Sequence, residues 1–132
     1  MPAADAGARH PFAYALLRVV PRAERGERLN VAIVLYSRRH DFLEMRAHLD
    51  GQRLAALDPE IDPEPVRARL DALRSVVCGE PEGGALAALP ASERFGWIVA
   101  PASTILQPSE VHTGLTADPA ETLERLFATL VR

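Results

Sequence analysis

At 132 residues, with 48% hydrophobic and 25% charged positions, the chain has the size and composition of one soluble globular domain. A balance of 15 basic against 18 acidic residues gives a net charge of −3 and a pI near 5.8. That balance argues against nucleic acid or a membrane surface as the general partner. The basic residues are all arginine, a bias that fits a GC-rich genome. The single cysteine, Cys78, excludes an internal disulfide, and the longest apolar run, 31–36, is too short to cross a bilayer. Both features predict a soluble, cytoplasmic protein with no membrane association.

Residues 1–10 lack an apolar core and read as a disordered lead-in to a single domain over 11–132. Residues 12–20 alternate as a strand, with Ala13, Ala15, Leu17 and Val19 on one face and Phe12, Tyr14, Leu16 and Arg18 on the other. A polar loop over 21–28 contains Gly26, which suits a positive backbone angle. A second strand over 29–36 separates Leu29, Val31, Ile33 and Leu35 from Asn30, Ala32, Val34 and Tyr36. After a turn at 37–41, a third strand over 42–49 sets Leu43, Met45, Ala47 and Leu49 against Phe42, Glu44, Arg46 and His48.

Strand register follows from matching these faces, because a slip of one residue sends every side chain to the opposite side. Matching the aliphatic sets requires an even sum of paired residue numbers in both hairpins. One such register places Arg18 opposite Asn30 and Asn30 opposite His48. One face is then aliphatic and suits a helical layer. The other is a polar and aromatic surface of Tyr14, Arg18, Asn30, Tyr36, Glu44, Arg46 and His48, with Ala32 near its middle.

Helical signals follow. Asp50 caps a short turn to Leu57, and Asp62 with Pro63 opens a helix whose stripe is Val66, Leu70, Leu73 and Val77 and whose stop is Gly79. Cys78 reads as a small buried group at the end of that helix. Residues 85–89 form a helical turn before Pro90. Residues 95–100, apolar on both faces and containing Trp97, read as a fourth strand inside the sheet. Residues 104–107 and 110–115 are short extended pieces bent at Pro108. The last helix opens on Asp118, Pro119 and Glu121 and buries Leu123, Leu126, Phe127, Leu130 and Val131. This order predicts an α+β fold: a single, mostly antiparallel sheet of about five strands with helices packed on one face.

Three constellations carry chemistry. Arg18 and Asn30 sit among aliphatic residues, and Glu27 at the end of the loop is placed to pair with Arg18 as a carboxylate partner. The segment 101–114, PASTILQPSEVHTG, is dense in hydroxyls and amides, including Ser103, Thr104, Gln107, Ser109 and His112. No glycine-flanked elbow surrounds its serines, so a nucleophile–base pair with His112 has little support. Finally, His10, His40, His48 and His112 show no ligand spacing, and Gly83-Gly84 lacks the lysine of a phosphate loop; neither a metal site nor a cofactor is expected.

The early run LLRVVPRAERGERLNVAIVL and the late run RFGWIVAPASTILQPSEVHTGLTADP, in that order, resemble the bacterial family named domain of unknown function 3037. Arg18, Pro21, Glu27, Asn30, Trp97, Ser103, Thr104, His112 and Gly114 match its pattern as they stand, and Ala32 replaces its usual glycine. The resemblance implies that the two motifs meet in one place. It also implies a regulatory or adaptor role beside a kinase resembling the HipA toxin, because members of the family look like neighbours of such kinases.

The reading that follows is a binding or regulatory module for a protein partner or a small anionic ligand. Its site joins Arg18, Glu27 and Asn30 to Ser103, Thr104 and His112. Arg18 would hold the anion, Asn30 orient it and His112 serve as donor or base. The alternative is a hydrolase or nuclease using His112 with Glu27 or Glu44.

Overall fold

The structure is a computed structural model and describes residues 7–102 and 104–132. Its strands are β1 (His10–Val19), β2 (Leu29–Ser37), β3 (Phe42–Ala47), β4 (Leu106–Pro108) and β5 (His112–Thr116). The helices are α1 (Gly51–Leu57), α2 (Pro63–Cys78), α3 (Gly84–Ala87), α4 (Ala91–Val99) and α5 (Pro119–Leu130). All pairings are antiparallel, in the order β3-β2-β1, with β4 and β5 sharing the far side of β1. This is the expected α+β class with one antiparallel sheet. The lead-in ends earlier than expected, since His10 already pairs with Thr116; residues 1–6 lie outside the described residues.

The helix signals hold where caps and stripes coincide. Asp50 accepts from the backbone N–H of Gln52 and Arg53, Asp62 from Glu64, and Asp118 from Glu121. Gly79 ends α2 in the left-handed region at φ 70°. Cys78, expected to be buried there, is exposed because it falls on the outer side of the last turn. The stretch 95–100, expected as a strand, is mostly α4. Pro90 precedes this helix, and Phe95 and Ile98, three apart, point inward while Trp97 stays 40% exposed. Phe95 stacks on Tyr36 of β2, and Arg94 donates to the carbonyls of Val76 and Val77 at the end of α2. Tertiary packing and that cap override the strand-like composition of FGWIV.

Helices cover both faces of the sheet, not one. Ala15, Leu17, Val19, Val34 and Met45 pack with Leu54 of α1, with Val66, Leu70 and Leu73 of α2 and with Phe95 and Ile98 of α4. Leu16, Ile33 and Leu35 pack on the other side with Leu123, Phe127 and Val131, beneath α5. The parity expectation fails for the same reason. Residue sums are odd through most of both hairpins: Leu17 pairs with Ala32, Leu16 with Ile33, and Ile33 with Arg46. Because β2 is apolar on both sides and buried on both, its aliphatic pattern cannot choose between the two registers.

A β-bulge at Val31 reconciles the two halves of β2. Register shifts between Leu17, paired with Ala32, and Arg18, paired with Asn30, so Val31 is the extra residue. Val31 and Ala32 are both fully buried toward α2 and α4. Arg18 and Asn30 therefore do share a face, as expected, and it is the α5 face. His48 donates its backbone N–H to Val31 O and is not opposite Asn30. Among the described residues, no helix is long and apolar enough to cross a membrane.

Candidate functional site

The bulge places Arg18 and Asn30 where α5 ends. A helix leaves its last four carbonyls without partners, and the sheet supplies donors. Arg18 Nε donates to Asn30 Oδ1 at 3.2 Å, and Asn30 Nδ2 donates to Leu130 O at 3.1 Å. Arg53, carried on α1, donates through Nη1 to Val131 O at 3.3 Å. The result is a cleft of about 450 Å³ lined by Arg18, Arg28, Leu29, Asn30, Arg53, Leu130 and Val131.

Its electrostatics are one-sided. Among the described residues, three guanidiniums line the cleft and no carboxylate does. Arg53 lies 3.6 Å from Asp50, outside the lining. The Arg53 and Gln52 backbone N–H groups, with the Arg53 charge, hold the Asp50 carboxyl below its ordinary 3.8. Among the described residues, neither Arg18 nor Arg28 has a carboxylate within 4.0 Å. Arg18 commits one N–H to Asn30 and keeps its terminal donors, a fork that suits a carboxylate or phosphate.

The other expected site residues go elsewhere. Glu27 pairs with Arg25, not Arg18, because a short 3-10 turn over Ala23–Arg25 and Gly26 at φ 68° fold the loop back on itself. It lines a separate cleft of about 320 Å³ with Arg22, Arg25, Leu57 and Asp58. Thr104 is exposed and spends its hydroxyl on Leu106 O at 2.6 Å. Its carbonyl accepts from the amide of Gln107, the β4 residue paired with Arg18, and neither Thr104 nor Gln107 lines the arginine cleft. Ser103 lies outside the described residues.

His112 shares the α5 face of the sheet but not the cleft. It pairs with Tyr14, and the two rings are 5.2 Å apart. Arg18 is four residues further along β1, about 13 Å at strand rise. Glu44 lies in the same row as His112 but three strands away, through Tyr14 and Leu35, or about 14 Å at ordinary strand spacing. The carboxylate that approaches His112 is Glu110, at 4.0 Å on the exposed surface.

The late motif instead completes the edge of β1. Between β4 and β5 the ladder is interrupted, and Ser109 fills the gap. Leu16 N–H donates to Ser109 Oγ at 2.9 Å, and Ser109 N–H donates to Leu16 O at 2.8 Å. Gly114 lies beneath the Phe12 ring, where a Cβ would come within 2.8 Å of two ring carbons. The two motifs thus meet along β1 without forming one pocket. Trp97, Ile98, Leu106 and Pro108 line a cleft beside Leu73 of α2, and His112 and Gly114 lie on the α5 side.

Sequence reasoning missed Arg28, Arg53 and the end of α5. Arg53 follows the Asp50 cap by three residues, and nothing local points it toward the hairpin. The available signal was the end of α5, which lacks a glycine stop and so needs donors from elsewhere. Two of the histidines considered as ligands also meet in space despite their spacing: the His10 and His40 rings are 5.2 Å apart, and His40 Nε2 donates to Thr116 O at 2.9 Å.

No curated protein and no solved structure matches the chain. One family model does, over residues 14–131, a span that includes every residue lining the arginine cleft. The chain belongs to the family described as protein of unknown function DUF3037.

Proposed function

We propose that this protein is a small cytoplasmic binding module that takes a small anion, carboxylate or phosphate, in the cleft at the end of α5. The observation that carries the reading is the convergence of Arg18, Arg28 and Arg53 on one cleft with no acidic lining among the described residues. Even with Arg53 offset by Asp50, the charges of Arg18 and Arg28 outweigh the roughly half charge that a helix C-terminus presents. Arg18 is the clamp, Asn30 holds its guanidinium in place, and Arg28 supplies the exposed side of the site. The hydrolase or nuclease alternative would need His112 beside Glu27 or Glu44, and no such pairing supports it.

Titration calorimetry with inorganic phosphate at low ionic strength tests this reading. Phosphate should bind the wild-type protein, and Arg18→Gln should weaken binding about ten-fold, the lower end of what one charge-assisted hydrogen bond contributes. Arg28→Gln should weaken it less, because that side chain is exposed and screened. Absence of heat with phosphate, or an affinity indifferent to Arg18→Gln, would overturn the proposal.

A further inference from the structure

The opposite face of β1 holds a second cleft, which the anion reading leaves unused. Leu17, the neighbour of Arg18, points into it, and α2 and the late motif line the rest. Its walls include Leu73 of α2, Trp97 and Ile98 of α4, Pro101 and Leu106. It measures about 220 Å³, and among the described residues its only charged lining residue is Arg69. The Arg69 guanidinium carbon lies 5.8 Å from the centre of the Trp97 ring. A cation–π contact engages the face of the indole and uses none of the five guanidinium N–H donors. Among the described residues, Arg69 has no carboxylate within 4.0 Å and makes no side-chain hydrogen bond.

We infer that this cleft binds a small hydrophobic carboxylate, with its apolar body against Trp97 and Leu73 and its carboxylate on Arg69 at the rim. Size and charge select that class. A dry apolar cavity of about 150 Å³ accepts benzene, so the volume here admits one six-membered ring and a short tether. The apolar lining rewards a hydrocarbon body. The single cation at the mouth rewards a negative head that stays partly hydrated, which avoids the cost of burying an ion. A ligand with an anion at both ends would leave one charge against leucine and isoleucine.

Trp97 is the chain's one tryptophan, so its fluorescence reports this cleft alone. Titration of the whole protein with 3-cyclohexylpropionate, which has no aromatic absorption, should shift Trp97 emission and saturate below about 10 mM, as a weakly efficient fragment of that size does. The amide of the same acid should bind about ten-fold more weakly. Arg69→Gln, a change on the exposed side of α2, should bring the acid down to the affinity of the amide and leave the amide unchanged. Arg18→Gln should alter neither, which separates this cleft from the phosphate site. Failure to saturate, equal binding of acid and amide, or an acid affinity unmoved by Arg69→Gln would each overturn the inference.

Discussion

Arg18 and Asn30 touch each other, but they carry different burdens. Asn30 stands between two partners: its oxygen receives Arg18 and its amide satisfies Leu130 O. Removing that amide leaves a half-buried carbonyl without its donor, a loss of about 1–3 kcal/mol. Arg18 gives one hydrogen bond from a side chain whose remaining donors reach the cleft, so its removal should cost about 1 kcal/mol or less. Denaturant unfolding of Asn30→Ala and Arg18→Ala should therefore rank Asn30 as the larger loss. If Arg18→Ala proved the more destabilising, Arg18 would be a structural residue and its place as a clamp would be lost. Polarity inside an aliphatic strand made both residues legible from the sequence. Arg28 and Arg53 were not legible, because a loop and a separate helix deliver them and no local pattern encodes that meeting.

At the scale of elements, the edge of β1 depends on one hydroxyl. Ser109 is 6% exposed and replaces a backbone partner for Leu16 where the chain passes from β4 to β5. Ser109→Ala should leave the buried Leu16 N–H unpaired and cost about 1–3 kcal/mol. Hydrogen exchange should locate the loss at Leu16 and along β5; unchanged protection there would remove Ser109 from that role. The late motif is thus largely a device for closing an interrupted strand. The helices α1, α2 and α5 were legible because cap, proline and apolar stripe are all local signals. Two features escaped for physical reasons. The FGWIV stretch has strand-like residues but forms a helix through Arg94 on α2 and Phe95 on Tyr36. The bulge at Val31 lies in a strand buried on both sides, where every register buries apolar side chains.

For the whole molecule, the bulge sets how β2 serves both layers where α5 ends. Above it, Ile33 and Leu35 hold α5; below it, Asn30 receives the last turn of that helix while Val31 and Ala32 stay in the opposite core. Ala32 is buried in the core with α2 and α4 and does not line the arginine cleft. The cleft exists only while α5 is docked, so a ligand there must favour the docked molecule. Phosphate at ten times its dissociation constant should stabilise the wild-type protein by about 1.4 kcal/mol, a rise in melting temperature of about 5 °C for a domain of this size. Chloride at matched ionic strength should not reproduce the rise, because it cannot engage the guanidinium fork in a bidentate manner. In Arg18→Gln the same phosphate concentration should give less than about a third of the shift, since the affinity has fallen about ten-fold. An equal shift in the variant would mean that phosphate acts elsewhere on the surface. A full shift in the wild type alone would place phosphate on Arg18 in the folded molecule, with α5 docked.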